Sequence, residues 1–345
     1  MSDTTMAKSE TGKPGFLSAA TLQKAVAFVV LIALVLFFSI FADNFATINN
    51  LVDNIGLATA VNGVLGVAVT FVIISGGIDL AVGTMMTMTA VTAGLVLTNA
   101  GLPLPMGVLG AVGVGALMGG ISGTIIAKLK IPPFIATLGM MQIARGLALV
   151  ISGAKPIYFN DTPGYSLISS GSVLSLPLPT SDEAGLTMAL VPIPNGVLIM
   201  FVVAIIASIV LNRTIIGRMI FALGSNEEAA RLSGINIDNW KILTYAICGG
   251  ISGIAGLIVS SRLNSAQPAL GLGYELDAIA AVVIGGTSLA GGRGTVMGTI
   301  IGAFIMSVLT NGLRVMGVLE EWKIVVTGVI IIVAVFIDIV LRKRT

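Results

Sequence analysis

The sequence predicts an all-α, polytopic membrane protein of about ten transmembrane helices, with two stretches broken by glycine. Three observations carry this. Hydrophobic residues make up 56% of the 345 and charged residues 10%, where a soluble domain holds about 25% charged; mean hydropathy is +1.04. The apolar residues gather into ten runs near the roughly 20 residues that a span requires. Thirteen of the eighteen Lys and Arg residues fall on the N-terminal side of those runs. Four (Lys155, Arg262, Arg314 and Lys323) fall on the other side, and Arg145 lies within a run. This excess is the positive-inside signature and places both termini in the cytoplasm. An odd number of spans would scramble it.

In chain order, residues 1–22 are polar and lack an apolar core with a small-residue cleavage site, so they read as a cytoplasmic tail without fixed structure, not a signal peptide. One membrane domain follows over 23–345. Its spans fall at about 25–42, 52–74, 79–98, 105–127, 132–153, 194–211, 240–260, 275–290, 295–313 and 323–341. The second and third are parted by Ser75-Gly76-Gly77 and Asp79. The fourth carries a small-residue face of Gly107, Gly110, Gly113, Gly115, Gly119, Gly120 and Gly123, suited to close helix packing. Residues 154–193 form an external insert whose five prolines, with Pro194 just after it, point to ordered loop more than helix. The largest cytoplasmic loop is 212–239. The eighth span opens on Glu275 and Asp277 and runs into a glycine cluster at 285–294.

Breaks near 75–79 and 285–294 are costly in lipid. Backbone groups there need internal partners, so a break is tolerated only under protein cover or beside a water-filled cavity. Paired glycine-interrupted segments are also the sequence pointer to a transporter's working parts. The two breaks share G-G-x-x-L-A-x-G, at Gly76–Gly83 and Gly285–Gly292. With 43 glycines in the chain, duplication and coincidence both stay open.

The chemistry available is narrow. There is no histidine, which removes the commonest proton relay and metal ligand. The single cysteine, Cys248, allows no disulfide framework or thiolate metal site, so no metal is expected, and nothing points to nucleic acid. Asp79 stands where it either caps the following helix or touches a solute. Ser75, Asn62, Thr84, Thr137 and Gln142, beside the Phe134 ring, suit a passage for an uncharged polyol. Equally, such polar groups tie helices together in lipid. Glu275 and Asp277 read as a solvated helix N-terminus or as pathway groups.

On the inner side, Ser225 or Asn226 is placed to cap a short helix over 226–233, with Glu227 and Glu228 in its first turn and Gly234 as its stop. Two turns are marginal alone, so this helix needs a neighbour. Ala229, Ala230 and Leu232 offer packing surface, and Glu227, Glu228 and Arg231 offer charge. The only Gly-Lys pair, Gly12-Lys13, is followed by Pro14 and makes no phosphate-binding loop. If ATP drives transport, another chain hydrolyses it.

Ser75–Gly83, Pro132–Met140, Ala222–Ile235, Ser261–Pro268 and Gly273–Gly294 together resemble the permease subunits of bacterial ATP-binding-cassette importers for monosaccharides, the ribose permeases most of all. The likeness runs from about residue 25 onward. The tail and the stretch 165–190 stand outside it. It implies a transport subunit and not an enzyme, in the bacterial inner membrane, working as a homodimer. A periplasmic sugar-binding protein would dock outside and a cassette ATPase, holding the ATP and Mg, would dock inside; no cofactor belongs to this chain. Within that frame Asp79, Ser75, Asn62, Thr84, Phe134, Thr137 and Gln142 are assigned to the pathway. Glu227, Glu228, Ala229, Arg231 and Gly234 are assigned to coupling, and Arg262, Gln267 and Glu275 to docking of the binding protein. A stand-alone secondary carrier is the alternative. It lacks an acid deep in a span with a basic partner nearby, and a membrane scaffold would leave the broken spans unexplained.

Overall fold

The computed structural model describes residues 19–182 and 185–342. The expected tail lies outside these up to residue 18, and its last four residues already belong to the first helix. Helix α1 (Ala19–Phe41) leads to a π-helical turn, Asn50–Gly56, that runs straight into α2 (Leu57–Ile74). After the first break come α3 (Val82–Gly94), prolonged by a π-helical turn to Asn99, then α4 (Leu104–Lys128) and α5 (Pro133–Ser152). The outer insert holds β1 (Ile157–Tyr158), a single 3-10 turn, β2 (Leu174–Asp182) and β3 (Gly185–Ile193). Next follow α6 (Asn195–Arg213), α7 (Ile215–Ser225), α8 (Glu227–Leu232), α9 (Ile237–Leu263), β4 (Ser265–Ala266), α10 (Tyr274–Ile284), α11 (Val296–Val315) and α12 (Glu320–Arg342).

Each of the ten predicted runs corresponds to one helical segment, with ends shifted by a few residues. Among the described residues, seven helices are long and apolar enough to cross a bilayer alone. Helix α10 is not one of them. Its 11 residues span about 16 Å, half of a ~30 Å hydrocarbon core. The chain reaches its start by re-entry: β4 pairs with β1, whose Ile157 packs on Gly94 at the far end of α3. Gly271 and Glu275 already lie against Gly83, at the near end of the same helix.

Helix α2 is the centre of the bundle. Nearly all of it is enclosed, among α6, α9, α10 and α11. Its polar groups are met internally: Thr70 Oγ1 donates to Gly66 O and shares a 2.7 Å hydrogen bond with Thr299 Oγ1 on α11. At its outer end Asn50 and Asn311 exchange amide hydrogen bonds at 2.9 and 3.1 Å. The predicted small-residue face of α4 splits. Gly115, Gly119 and Gly123 lie on Gly249, Tyr245 and Ile242 of α9, so the two backbones meet with no side chain between. Gly113 points to open space. Large apolar side chains such as Leu109, Leu117 and Val150 are exposed on the rim, a liability in water and the rule in lipid.

Two expectations need correction. The insert is not loop throughout, because β2 and β3 form an antiparallel hairpin with Leu176 opposite Val191 and Pro177 opposite Leu190. Pro177, Pro179 and Pro192 are tolerated because both strands are edges and proline's missing N–H can face outward. The base of the insert is tied to α9: Tyr165 OH shares 2.7 Å with Ser260 Oγ, and Ser261 Oγ bridges Tyr165 O and Ser169 N. Burial pushes the Tyr165 phenol up, so it stays neutral. The cytoplasmic connection 212–239 also holds more helix than the expected 226–233, since the end of α6, α7 and α8 fill most of it. Apolar residues of α7, Ile220 and Leu223 among them, are buried at helical spacing, and the arginines at 213 and 218 had marked the stretch as outside the membrane.

A Gly119→Leu side chain would meet the Tyr245 backbone of α9, which cannot rotate away. Destabilisation at or beyond the ~1–3 kcal/mol of ordinary overpacking is expected, read as loss of folded monodisperse protein in detergent. Gly113→Ala, on the open side of the same helix, is expected to leave thermal stability unchanged.

Candidate functional site

The first break begins where α2 ends. Ser75 Oγ donates to Val72 O. Gly76, at φ +82°, donates from its N–H to Ile73 O at 2.9 Å, and Gly77 N–H donates to Val72 O at 3.0 Å. This is a Schellman termination, which places glycine where a side chain would be strained. Asp79 Oδ1 then accepts the Ala81 N–H at 2.8 Å and launches α3, so Asp79 turns the chain without being the cap residue itself. The carboxyl is fully buried, beside the Cys248 thiol, and among the described residues its Oδ2 has no hydrogen-bond partner. The intervening Ile78 carbonyl accepts from Tyr245 OH of α9 at 3.2 Å and from Thr137 Oγ1 of α5 at 3.4 Å. Thr84 Oγ1 donates back to Ala81 O.

The second break repeats that termination at the end of α10. Gly286, at φ +89°, donates to Val283 O at 2.9 Å, and Thr287 N–H donates to Val282 O at 3.1 Å. Geometry therefore matches Gly76 to Gly286, whereas the shared G-G-x-x-L-A-x-G pattern matches Gly76 to Gly285. The echo is out of step with the structure by one residue. Thr295 restarts the chain by accepting the Gly298 N–H as cap of α11. The two breaks touch, since Gly292 N–H donates to Ile74 O at 2.8 Å.

Of the residues assigned to a pathway, Asp79, Ser75, Thr84 and Thr137 gather at the first break. Asn62 lies separately on α2, buried and with its Oδ1 unpartnered among the described residues. Phe134 and Gln142 lie on the exposed face of α5, where Gly139 and Gly146 also have open space beside them. On the outer side Arg262 and Gln267 are half-exposed, Gln267 donating to Ser265 Oγ and Arg262 lying near Tyr274 and Arg314. Glu275 departs from its expected place. It is only 8% exposed, accepts the Gly273 N–H at 3.1 and 3.2 Å and packs over Gly83. It is neither a solvated helix end nor a docking surface, because re-entry carries the start of α10 below the outer rim.

On the inner side, Asn226 Oδ1 accepts the Ala229 N–H at 2.9 Å as cap of α8. Gly234 ends it at φ +82°. Ala230 is buried beside Leu223 and Ile237. Glu227 is held from within the chain, by Lys241 Nζ of α9 at 2.8 Å and by Arg231 at 3.3 Å. Glu228 and Ala229 face outward, and so does Leu232, 82% exposed, expected from the sequence, with Ala229, to offer packing surface to a partner. Tyr245, Lys241 and Thr295 escaped the sequence reading. Lys241 and Tyr245 stand four residues apart on α9, a same-face spacing, and that was the available signal.

The family whose description is "branched-chain amino acid transport system / permease component" matches residues 51–335. The chain belongs to this permease family. It is a membrane transport component and not an enzyme. It is 40% identical over 323 residues to the ribose import permease protein RbsC of Escherichia coli (strain K12), covering 94% of this chain and 96% of that one. To RbsC of Haemophilus influenzae it is 42% identical over 315 residues, covering 90% and 91%. To the xylose transport system permease protein XylH of Escherichia coli (strain K12) it is 36% identical over 372 positions, covering 95% of each. No solved structure matches.

Lys241→Met would release Glu227. An exposed ion pair contributes only ~0–1 kcal/mol, so overall thermal stability is expected to hold while amide exchange at 227–233 accelerates. Unchanged exchange there would show that α8 does not depend on Lys241.

Proposed function

We propose that this permease is the membrane-spanning subunit of an ATP-driven importer that moves a monosaccharide, ribose foremost, from an external binding protein into the cytoplasm. One observation carries the reading. A short helix, α8, is held to the bundle by its own cap, Ala230 and Glu227, yet turns Glu228 and Leu232 away from it. A helix of six residues gains little for the fold by such presentation, so a partner chain is its use. With no phosphate-binding loop in the sequence, that partner is a cassette ATPase, holding ATP and Mg. Leu232, Glu228 and Ala229 make the contact, while Glu227, Arg231 and Gly234 shape the helix. The positive-inside distribution puts α8 and both termini in the cytoplasm of a bacterial inner membrane.

Ribose is favoured because the ribose permeases of three bacteria align over almost their whole length at 40–42% identity, ahead of the xylose permease at 36%. Asp79, Ser75, Thr84 and Thr137 at the first break, with Asn62, are the polar groups of the passage when the break opens. Phe134 and Gln142 need cover, since an amide facing hydrocarbon has no partner; a second copy against α5 supplies it, making the working unit a homodimer. Arg262 and Gln267 meet the binding protein outside.

In proteoliposomes, ribose uptake is expected only when the ATPase, the binding protein and ATP are all present. Accumulation by this chain alone on an ion gradient would reject the reading in favour of a secondary carrier. Asp79→Ala, which removes the Ala81 bond and leaves α3 unlaunched, is expected to abolish uptake in a complex that still assembles. Normal uptake by that variant would remove Asp79 from the pathway.

A further inference from the structure

The end of α7 touches both broken spans, and it does so through backbone. A Cβ on Gly224 would overlap the Ile74 carbonyl oxygen and come within 2.6 Å of Gly292 N. That carbonyl is the acceptor of the Gly292 N–H at 2.8 Å. Gly291, at φ +85°, lies so that a Cβ would stand 2.9 Å from Gly224 O and 3.0 Å from the Gly76 Cα. The side-chain position of Gly292 is taken by Ser225. Three segments therefore cross with no side chain between them: the end of α2, the second break and the end of α7. Two residues past Gly224, Asn226 caps α8.

A second route links α8 to the bundle, through Lys241 and Tyr245 of α9. It reaches Ile78 and so the first break only. The glycine crossing reaches both, and contact between backbones leaves no rotamer to absorb a displacement, as in any close-packed interior.

We propose that Gly224, Gly291 and Gly292 form a coupling junction, acting as positioning residues that carry a displacement of α8 to both glycine breaks at once. The inference rests on the importer reading and adds the route by which the partner's motion reaches the membrane.

The test uses the complete complex in proteoliposomes, with ribose as the probe and ribose moved per ATP hydrolysed as the readout. Gly224→Ala pushes α7 off Ile74 and Gly292. Uptake is expected to fall about tenfold or more, as a forced methyl at a packed site gives, while hydrolysis per assembled complex persists. An unchanged ratio overturns the junction, and so does a parallel fall of uptake and hydrolysis, which marks a merely structural role. If Gly224→Ala does not assemble, structures of the wild-type complex with and without trapped nucleotide decide. The Ile74 O to Gly292 N contact is expected to stay closed while α8 shifts, and its opening overturns the proposal. A wild-type complex without ATP-driven uptake would instead sink the importer reading.

Discussion

In hydrocarbon a backbone N–H or C=O without a partner costs several kcal/mol, and this chain interrupts its helices twice at membrane depth. The hydrogen bond from Gly292 to Ile74 O shows how the cost is offset. Each helix end closes on its own last turn through a Schellman pair, and the two loops then complete one another. Other elements take up what remains, with Tyr245 and Thr137 serving the Ile78 carbonyl and Asp79 serving the Ala81 amide. The enclosure of α2 follows, because the loop at its end must be roofed on every side. So does the close approach of α4 to α9 at Gly119, which seats Tyr245 where it can reach the first break.

Extended backbone held by a few hydrogen bonds resists displacement less than a continuous helix of the length of α4 or α9. Both breaks lie on the side where α8 stands, and the apolar rim of the bundle is left to lipid. The polar groups at the first break are shut in, and Asp79 is fully buried. Under the proposed function, opening is imposed at the inner edge, where α7 and α8 project.

Much of this was legible in residues. Glycine pairs at 76–77 and 285–286, each after an apolar run, marked both breaks because few other residues stop a helix so abruptly. Asn226, the acids at 227 and 228 and Gly234 delimited α8, since caps and stops are local chemistry. Helix α7 was hidden because its Arg218, and Arg213 at the end of α6, had marked the stretch as lying outside the membrane, and they said nothing of its conformation. The hairpin at 174–193 was hidden by prolines, which argue against a central strand but not against an edge. Glu275 misled for a different reason: its residue type suits a solvated helix end, and only re-entry of the preceding segment buries it. The contacts of Tyr245, Lys241 and Gly224 join residues far apart in the chain, and a single sequence carries no signal for these pairings beyond the same-face spacing of 241 and 245.

Amide hydrogen exchange on the protein alone in lipid nanodiscs tests the central claim most directly. If both breaks are satisfied within the protein, the amides of Gly76, Gly77, Gly286 and Thr287, bonded to their own helix ends, and of Gly292, bonded to the other break, exchange slowly, at rates comparable to the interior of α2. Rapid exchange at these five, with α2 and α11 protected, would show breaks open to water and would contradict the account.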